Sequence, residues 1–497
     1  MNTYQINVDL SQTFQSIEGF GASGAWSLDR VGSEWTEENK NKLADLLFSN
    51  ERGIGLSMWR FNIGAGSIET DQEIIKDPWR RAECFKAGKD QAYDWSKQQG
   101  QQWFLRAARA RGVERFIAFV NSPPVWMTKN GHGQPDQFVG STNLRAECIT
   151  DFVEFLADVL EHFQQMNLPF QYISPINEPT WSWDLANQEG NRYNNTDIKA
   201  VLKALNDERV KRRLDVEIDA AEAVEYLALL DDDLYAKFIK NDSTYRGGNS
   251  AGSNGEYRQY IKTLLGDPEM REIIGNKVSA HAYWSDHFAG DERLVQLRRY
   301  VRENLKRYHS DAKLWMSEYC VLNENGPGRD LSMETALSIA RLIHFDLVET
   351  EVTSWQWWLA LSPYDYKDGL IYTDYLNNGD QQTIITSKTL WALGNYSRFI
   401  RPGSVRINLQ GADNKDRLMG SAYYNKDEDQ LSIVFINYSY DDEKVKMVLN
   451  NLSKRIDLLT LKAYVTSETQ DLSELEIKDA QSVVDIPARS VVTLVYC

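Results

Sequence analysis

The chain is poor in the residues that build metal and disulfide sites. Its 497 residues include four cysteines, Cys84, Cys148, Cys320 and Cys497, widely spread and without a CxxC pair. That spacing excludes a zinc ribbon and a dense disulfide framework; a single Cys84–Cys148 bridge stays open. Six histidines include no HxH and no HExxH, and His281 and His287 are not at helix-ligand spacing. No metal or other cofactor is expected. No basic excess exists either: 55 Lys and Arg stand against 72 Asp and Glu, for a net charge of −17. A nucleic-acid partner is therefore not expected, since phosphates need cations to neutralise them. No window approaches 18 apolar residues, so no membrane span is expected. The opening MNTYQINVDL has neither the basic nor the apolar region of a signal peptide. A nucleophile elbow, G-x-S-x-G, is missing.

Tryptophan is plentiful. Fifteen Trp and 24 Tyr occur, many beside Asn, Asp, Glu and Gly, the mixture of a cleft for neutral sugars. Period-two runs of apolar residues read as strands, and i, i+3, i+4 runs as helices. Strand candidates are Gly19 to Trp26, Leu56 to Ile63, Arg115 to Val120, Gln171 to Asn177, Val216 to Ala221, Lys277 to Tyr283, Lys313 to Ser317 and Thr353 to Leu359. The clearest helix runs from about Ala146 to Phe163; another, from about Thr36 to Phe48, is the first in the chain. Eight strands alternating with helices point to the α/β class and a (β/α)8 TIM barrel over residues 17–399. After Arg401-Pro402-Gly403 the helical pattern ends, and runs such as Leu431, Ile433 and Phe435 alternate as strands. Residues 400–497 with residues 1–16 therefore form a side β-sandwich domain built from both chain termini.

Gly19-Phe20-Gly21-Ala22-Ser23-Gly24 matches the dinucleotide fingerprint G-x-G-x-x-G. The fingerprint needs a helix opening at its last glycine. With the first helix placed near Thr36, the glycines read instead as close-packing positions of a barrel strand. The carboxylates carry more. Glu178 directly follows the fourth strand and Glu318 the seventh. An ordinary glutamate is a solvated surface charge, but a barrel strand end aims its side chain into the cleft at the C-terminal face. Two carboxyls about 5–5.5 Å apart are what retaining glycoside hydrolysis requires.

These residues sit in motifs that resemble clan A glycoside hydrolases, and within that clan glycoside hydrolase family thirty. The supporting segments are Glu18-Gly19-Phe20-Gly21, Met58-Trp59-Arg60-Phe61-Asn62, Asn121-Ser122-Pro123-Pro124-Val125-Trp126-Met127, Asn177-Glu178-Pro179, His281-Ala282-Tyr283 and Ser317-Glu318-Tyr319. Asn130, Asn187-Gln188-Glu189-Gly190 and the run from Leu393 to Gly403 draw the resemblance toward the endo-β-1,6-galactanase branch; the loop Gly24-Ala25-Trp26-Ser27 departs from the pattern. The resemblance implies Glu178 as general acid/base and Glu318 as nucleophile. It implies substrate contacts from Arg60, Asn62, Trp126, Asn177, Trp181, His281, Tyr283 and Trp357, with Asn177 on the sugar 2-hydroxyl. Arg60 and Tyr283 are further expected to hold Glu318, and Glu222 to stand behind them. The competing reading is core packing for the aromatic residues, a barrel-filling salt bridge for Arg60 and a satisfied structural histidine for His281.

The expected activity is retaining, endo-acting hydrolysis of β-1,6-galactan, the side chains of arabinogalactan, by a monomer. The same motifs leave β-1,6-glucanase and glucuronoxylanase open. A catalytically silent carbohydrate-binding barrel is the alternative from another class, and the paired glutamates weigh against it. A polysaccharide substrate implies a secreted or cell-envelope protein whose signal peptide is absent from this chain, with the cytoplasm left open.

Overall fold

The computed structural model describes residues 3–136, 141–184, 186–240, 255–286, 291–322, 326–374, 381–451, 460–477 and 483–497. His287 lies outside them. Strand β1 (Thr3–Ser16) is followed by eight strands that alternate with helices: β2 (Gly19–Ser23), β3 (Met58–Asn62), β4 (Arg115–Phe119), β5 (Tyr172–Ser174), β6 (Glu217–Ile218), β7 (Lys277–His281), β8 (Lys313–Glu318) and β9 (Ser354–Ser362). Each lies inside, or within a few residues of, its expected run. They pair in parallel in chain order from β2 to β6 and from β7 to β9. β9 also pairs with β2, and an isolated Ala223–Ala280 bridge joins the segment that follows β6 to β7. Two further strands, β10 (Gly369–Tyr372) and β11 (Ile385–Thr386), extend the sheet beyond β9.

Period-two alternation fixes what faces inward. Met58, Ile117, Tyr172 and Trp315, one each from β3, β4, β5 and β8, form a small buried cluster of their own. Two residues further along the same strands come Arg60, Phe119, Ser174 and Ser317, so the polar groups begin one layer above an apolar plug. Gly19 and Gly21 sit within β2. A Cβ on Gly19 would lie 2.6 Å from Ser57 Oγ, so the glycines serve close packing.

Helices cover the outside. Thr36 caps the helix Glu37–Phe48 by accepting from Asn39 N. The expected helix at Ala146 opens as a 3-10 turn, Ala146–Cys148, and continues as the helix Ile149–Gln165. One helix precedes the one expected to be first: Ser27–Glu34 follows β2 directly. Its eight residues offer only Leu28 and Val31 as an apolar stripe, too short a pattern to read. Gly32 on this helix packs on Gly100 of the helix Gln99–Ala110, where an added Cβ on Gly100 would lie 1.6 Å from Asp29 O.

The C-terminal residues form strands β12 (Val405–Gln410), β13 (Leu418–Asn425), β14 (Gln430–Asn437), β15 (Glu443–Asn450), β16 (Leu461–Ser467), β17 (Gln470–Leu475), β18 (Val484–Ile486) and β19 (Ser490–Tyr496). β1 inserts among them, antiparallel to β12 and parallel to β15. One hydrogen-bonded path of nine strands results, around a single apolar cluster that includes Ile6, Val8, Leu431, Ile433 and Leu494. All four cysteines are free, so the Cys84–Cys148 bridge does not form.

Candidate active site

Glu178 follows β5 and Glu318 ends β8, as expected. Register between β7 and β8 shifts at Ser317, so that Ala280 pairs with Met316 but His281 with Glu318. Such a bulge re-aims side chains, and both Ser317 and Glu318 turn toward the same interior. Glu178 and Glu222 hold φ of 45° and 53°, the left-handed region that non-glycine residues seldom occupy. Strain of this kind clusters at functional sites. Backbone bonds fix the bend, with Glu178 N donating to Glu222 O at 2.9 Å.

The charged groups interlock. His281 Nδ1 lies 2.8 Å from Glu178 Oε1, and Nε2 lies 2.7 Å from Glu222 Oε2. Glu318 accepts from Arg60 Nη1 at 2.7 Å on one oxygen and from Tyr283 Oη at 2.9 Å on the other. Arg60 Nη2 also lies 3.6 Å from Glu222 Oε1, and Ser317 Oγ donates to Glu222. Burial alone would raise the Glu222 carboxyl, but Arg60, His281 and Ser317 hold it at about 2. Burial alone would lower the His281 imidazole, yet the charge of Glu318 and the bonds to Glu178 and Glu222 push it up to about 10. His281 is thus an imidazolium at neutral pH. Glu178 goes the other way: burial pushes its carboxyl up, against the bond and charge of His281, and the charges of Glu318 and Glu222 add to the rise.

One ligand atom each from Glu178, His281 and Glu318 lies within 4.8 Å of the others. This trio suits a metal poorly. Both ring nitrogens of His281 donate to carboxylates, which leaves no lone pair for an ion.

A cleft of about 350 Å³ opens over the two glutamates. Asn177, Glu178, Trp181, Tyr283 and Glu318 line it. Asn177 Nδ2 donates to Asn121 Oδ1 at 3.1 Å, and Oδ1 of Asn177 has no partner among the described residues. Trp181 stacks on Trp284 with ring centroids 5.5 Å apart and planes 20° off parallel.

Other expected contact residues lie off this wall. Arg60, Asn62 and His281 are fully buried and meet the cleft only through the carboxylates or not at all. Trp126 is held by the turn Val125–Met127, donates to Lys86 O at 2.9 Å and packs against the core. Trp357 is also a correction. Its indole donates to Asp368 O at 2.7 Å and packs with Tyr319, away from the cleft. Ser354 and Gln356 face inward and bond one another, so alternation brings Trp358 inward next, where it lines the cleft. Arg80, Asp368 and Tyr366 on the wall had no signal in the sequence: Arg80 ends the short 3-10 turn Pro78–Arg80, Tyr366 and Asp368 lie in an irregular loop, and all three are remote in sequence from the two glutamates.

A family model described as O-glycosyl hydrolase family 30 matches residues 3–372. An endo-β-1,6-galactanase of Hypocrea rufa is 26% identical over 424 residues, covering 80% of this chain and 75% of that protein. A glucuronoxylanase of Bacillus subtilis is 26% identical over 249 residues, covering 48% of this chain and 50% of that protein. Among solved structures, a conserved exported protein from Bacteroides fragilis superposes with a TM-score of 0.83 at 30% identity, covering 99% of this chain and 100% of that one.

Proposed function

The chain belongs to O-glycosyl hydrolase family 30, and from that membership we propose that it is a retaining, endo-acting β-1,6-galactanase. We read the pairing circuit of β2 to β9 as a (β/α)8 barrel, residues 17–399, and residues 1–16 with 400–497 as its side domain. Glu178 is the general acid/base. It stands buried with a raised pKa, as a proton donor near neutral pH must. Glu318 is the nucleophile, oriented by Arg60 and Tyr283. In the first step Glu318 attacks the anomeric carbon while Glu178 protonates the leaving oxygen. In the second, Glu178 takes a proton from water, which displaces Glu318. Asn177, with its free Oδ1, accepts from the 2-hydroxyl. Trp181 and Trp284, beside Glu178, form the platform for the leaving sugar.

The observation that carries this reading is the approach of one Glu178 oxygen to within 4.8 Å of one Glu318 oxygen. Inverting enzymes need about 6.5–9.5 Å between carboxyls to seat a water. Galactan is favoured over other polymers by the relative from Hypocrea rufa, matched over most of both chains. Glucuronoxylan is the second reading, from the shorter match to the Bacillus subtilis enzyme. The protein works as a monomer on polysaccharide outside the cytoplasm, in keeping with its exported structural relative. The test is incubation with β-1,6-galactan, β-1,6-glucan and glucuronoxylan, with products separated by size and the anomer followed by NMR. Galacto-oligosaccharides of mixed length, released first as the β-anomer, are expected. Products from glucuronoxylan alone would overturn the galactan assignment, and no product from any polymer would favour a binding module.

A further inference from the structure

Asp368 is a third carboxylate on the cleft wall that the proposed chemistry does not use. It is 3% exposed, and its Oδ1 has no hydrogen-bond partner among the described residues. A buried orphan acceptor is expensive and rare in folded proteins. Burial pushes its carboxyl up to about 6, against a bond from Ser362 and the charge of Arg80. The backbone around it is pinned. Asp368 O accepts from Trp357 Nε1 at 2.7 Å, Lys367 O accepts from Val321 N at 3.3 Å, and Gly369 starts β10 against Leu359. The Val321 bond ties this loop to the chain three residues beyond Glu318, and the Asp368 charge is felt at Cys320.

Arg80 comes to the same wall from the 3-10 turn Pro78–Arg80. Its guanidinium donates to Gln188 Oε1 at 3.2 Å and lies 4.9 Å from the Tyr364 ring centroid. It is thereby held as a fixed cation near Asp368 rather than swinging free in solvent.

Position along the cleft follows from the two glutamates. The leaving oxygen must sit at Glu178, three residues before Trp181, whose ring stacks on Trp284. The carbon attacked must sit at Glu318; Trp358 N donates to Tyr319 O, the next residue, at 2.9 Å, and the Val321–Lys367 bond brings Asp368 to the same strand end. We propose that Asp368, with Arg80 beside it, accepts hydroxyl protons from the sugar ring whose anomeric carbon Glu318 attacks, and so selects that sugar by its hydroxyl pattern. A neutral polyol supplies the donors the orphan oxygen lacks. Discrimination is strong in such a site, because a sugar without the matching hydroxyl leaves the carboxylate unpaired. The assignment rests on the glycosidase reading and specifies which part of that site reads the substrate.

The experiment is a cycle of substrate and protein changes. The substrates are 4-nitrophenyl β-1,6-galactobioside and its 2-, 3- and 4-deoxy analogues in the sugar bearing the nitrophenyl group. The proteins are the wild type and Asp368→Asn, of nearly equal shape. Losses in kcat/KM are compared within one preparation, so that any misfolded fraction cancels. For wild type, one analogue at the 3- or 4-position should lose about 10- to 100-fold, the range of a hydrogen bond to a charged group. Asp368→Asn should lose less than about threefold on that analogue and match the wild type on the others. Equal losses in both proteins for every analogue would overturn the assignment. A wild type inert on galactobiosides would overturn the galactan reading instead, and the same cycle on the aryl β-1,6-glucobioside or β-xylobioside that it does cut would then judge Asp368. A protein inert on all three sinks both.

Discussion

His281 holds Glu178 and Glu222 on its two ring nitrogens, at 2.8 Å and 2.7 Å. One imidazolium therefore sits between the proposed acid and a carboxylate that stays ionised down to about pH 2. The positive charge lowers the Glu178 pKa against the burial that raises it. Replacing His281 with Asn should let that pKa rise further, so the alkaline limb of the kcat/KM profile should move to higher pH. A limb that stays fixed or moves to lower pH would show that the charge is not felt at Glu178. Stability gives a second readout. The raised His281 pKa contributes stability that is complete below its ordinary 6.5 and is lost as pH rises through about 10. Thermal unfolding of wild type should weaken across that window more than unfolding of the variant.

Glu318→Gln should lower turnover by more than about 10⁴-fold while leaving oligosaccharide binding largely intact, because no glycosyl-enzyme can form. External azide should yield a glycosyl azide of inverted configuration. Titration calorimetry measures the binding and NMR the anomer. A variant with near-wild-type turnover would remove Glu318 from the nucleophile role.

Glu178→Ala should separate the two steps. General acid–base catalysis is worth about 10²–10⁴ in rate, or roughly 3–5 kcal/mol of barrier, and that loss is expected on galactan. A dinitrophenyl glycoside needs little protonation of its leaving group, so intermediate formation should be nearly spared and a burst should appear. Equal losses on both substrates without a burst would mean that another group is the acid.

Trp181→Ala removes one ring of the pair whose centroids lie 5.5 Å apart. If this pair supports the leaving sugar, KM on galactan should rise by about three- to tenfold while an aryl galactobioside, which lacks that sugar, keeps its KM. A parallel rise on both would place the ring on the other side of the scissile bond.

Gly100→Ala tests packing between two helices. Its Cβ would meet Asp29 O at 1.6 Å, a backbone atom that cannot rotate away. Overpacking of this kind costs about 1–3 kcal/mol, so Tm should fall with KM little changed. An unchanged Tm would show that the two helices separate freely.

Much of the molecule was written locally. Each parallel strand is a short apolar run bounded by turns, and Glu178 follows one of them while Glu318 ends another, so strand order and both glutamates follow from neighbours in sequence. Cluster formation is a different matter. Nothing near Asp368 or Arg80 in the chain marks them, because only closure of the sheet brings their loops to one wall. Trp357 and Trp358 are adjacent and chemically alike; the inward phase set by Ser354 and Gln356 chose between them. The short helix Ser27–Glu34 packs on a second helix where Gly32 and Gly100 let the two touch, a contact 68 residues apart that no local period reports. The protonated state of His281 depends on three carboxylates delivered by β5, β6 and β8. Sequence determined the strands and the two acids at their ends, since those rest on short-range hydrophobic pattern. Tertiary structure alone decided which side chains share the buried charge and which aromatic faces the cleft, since both depend on distance through space.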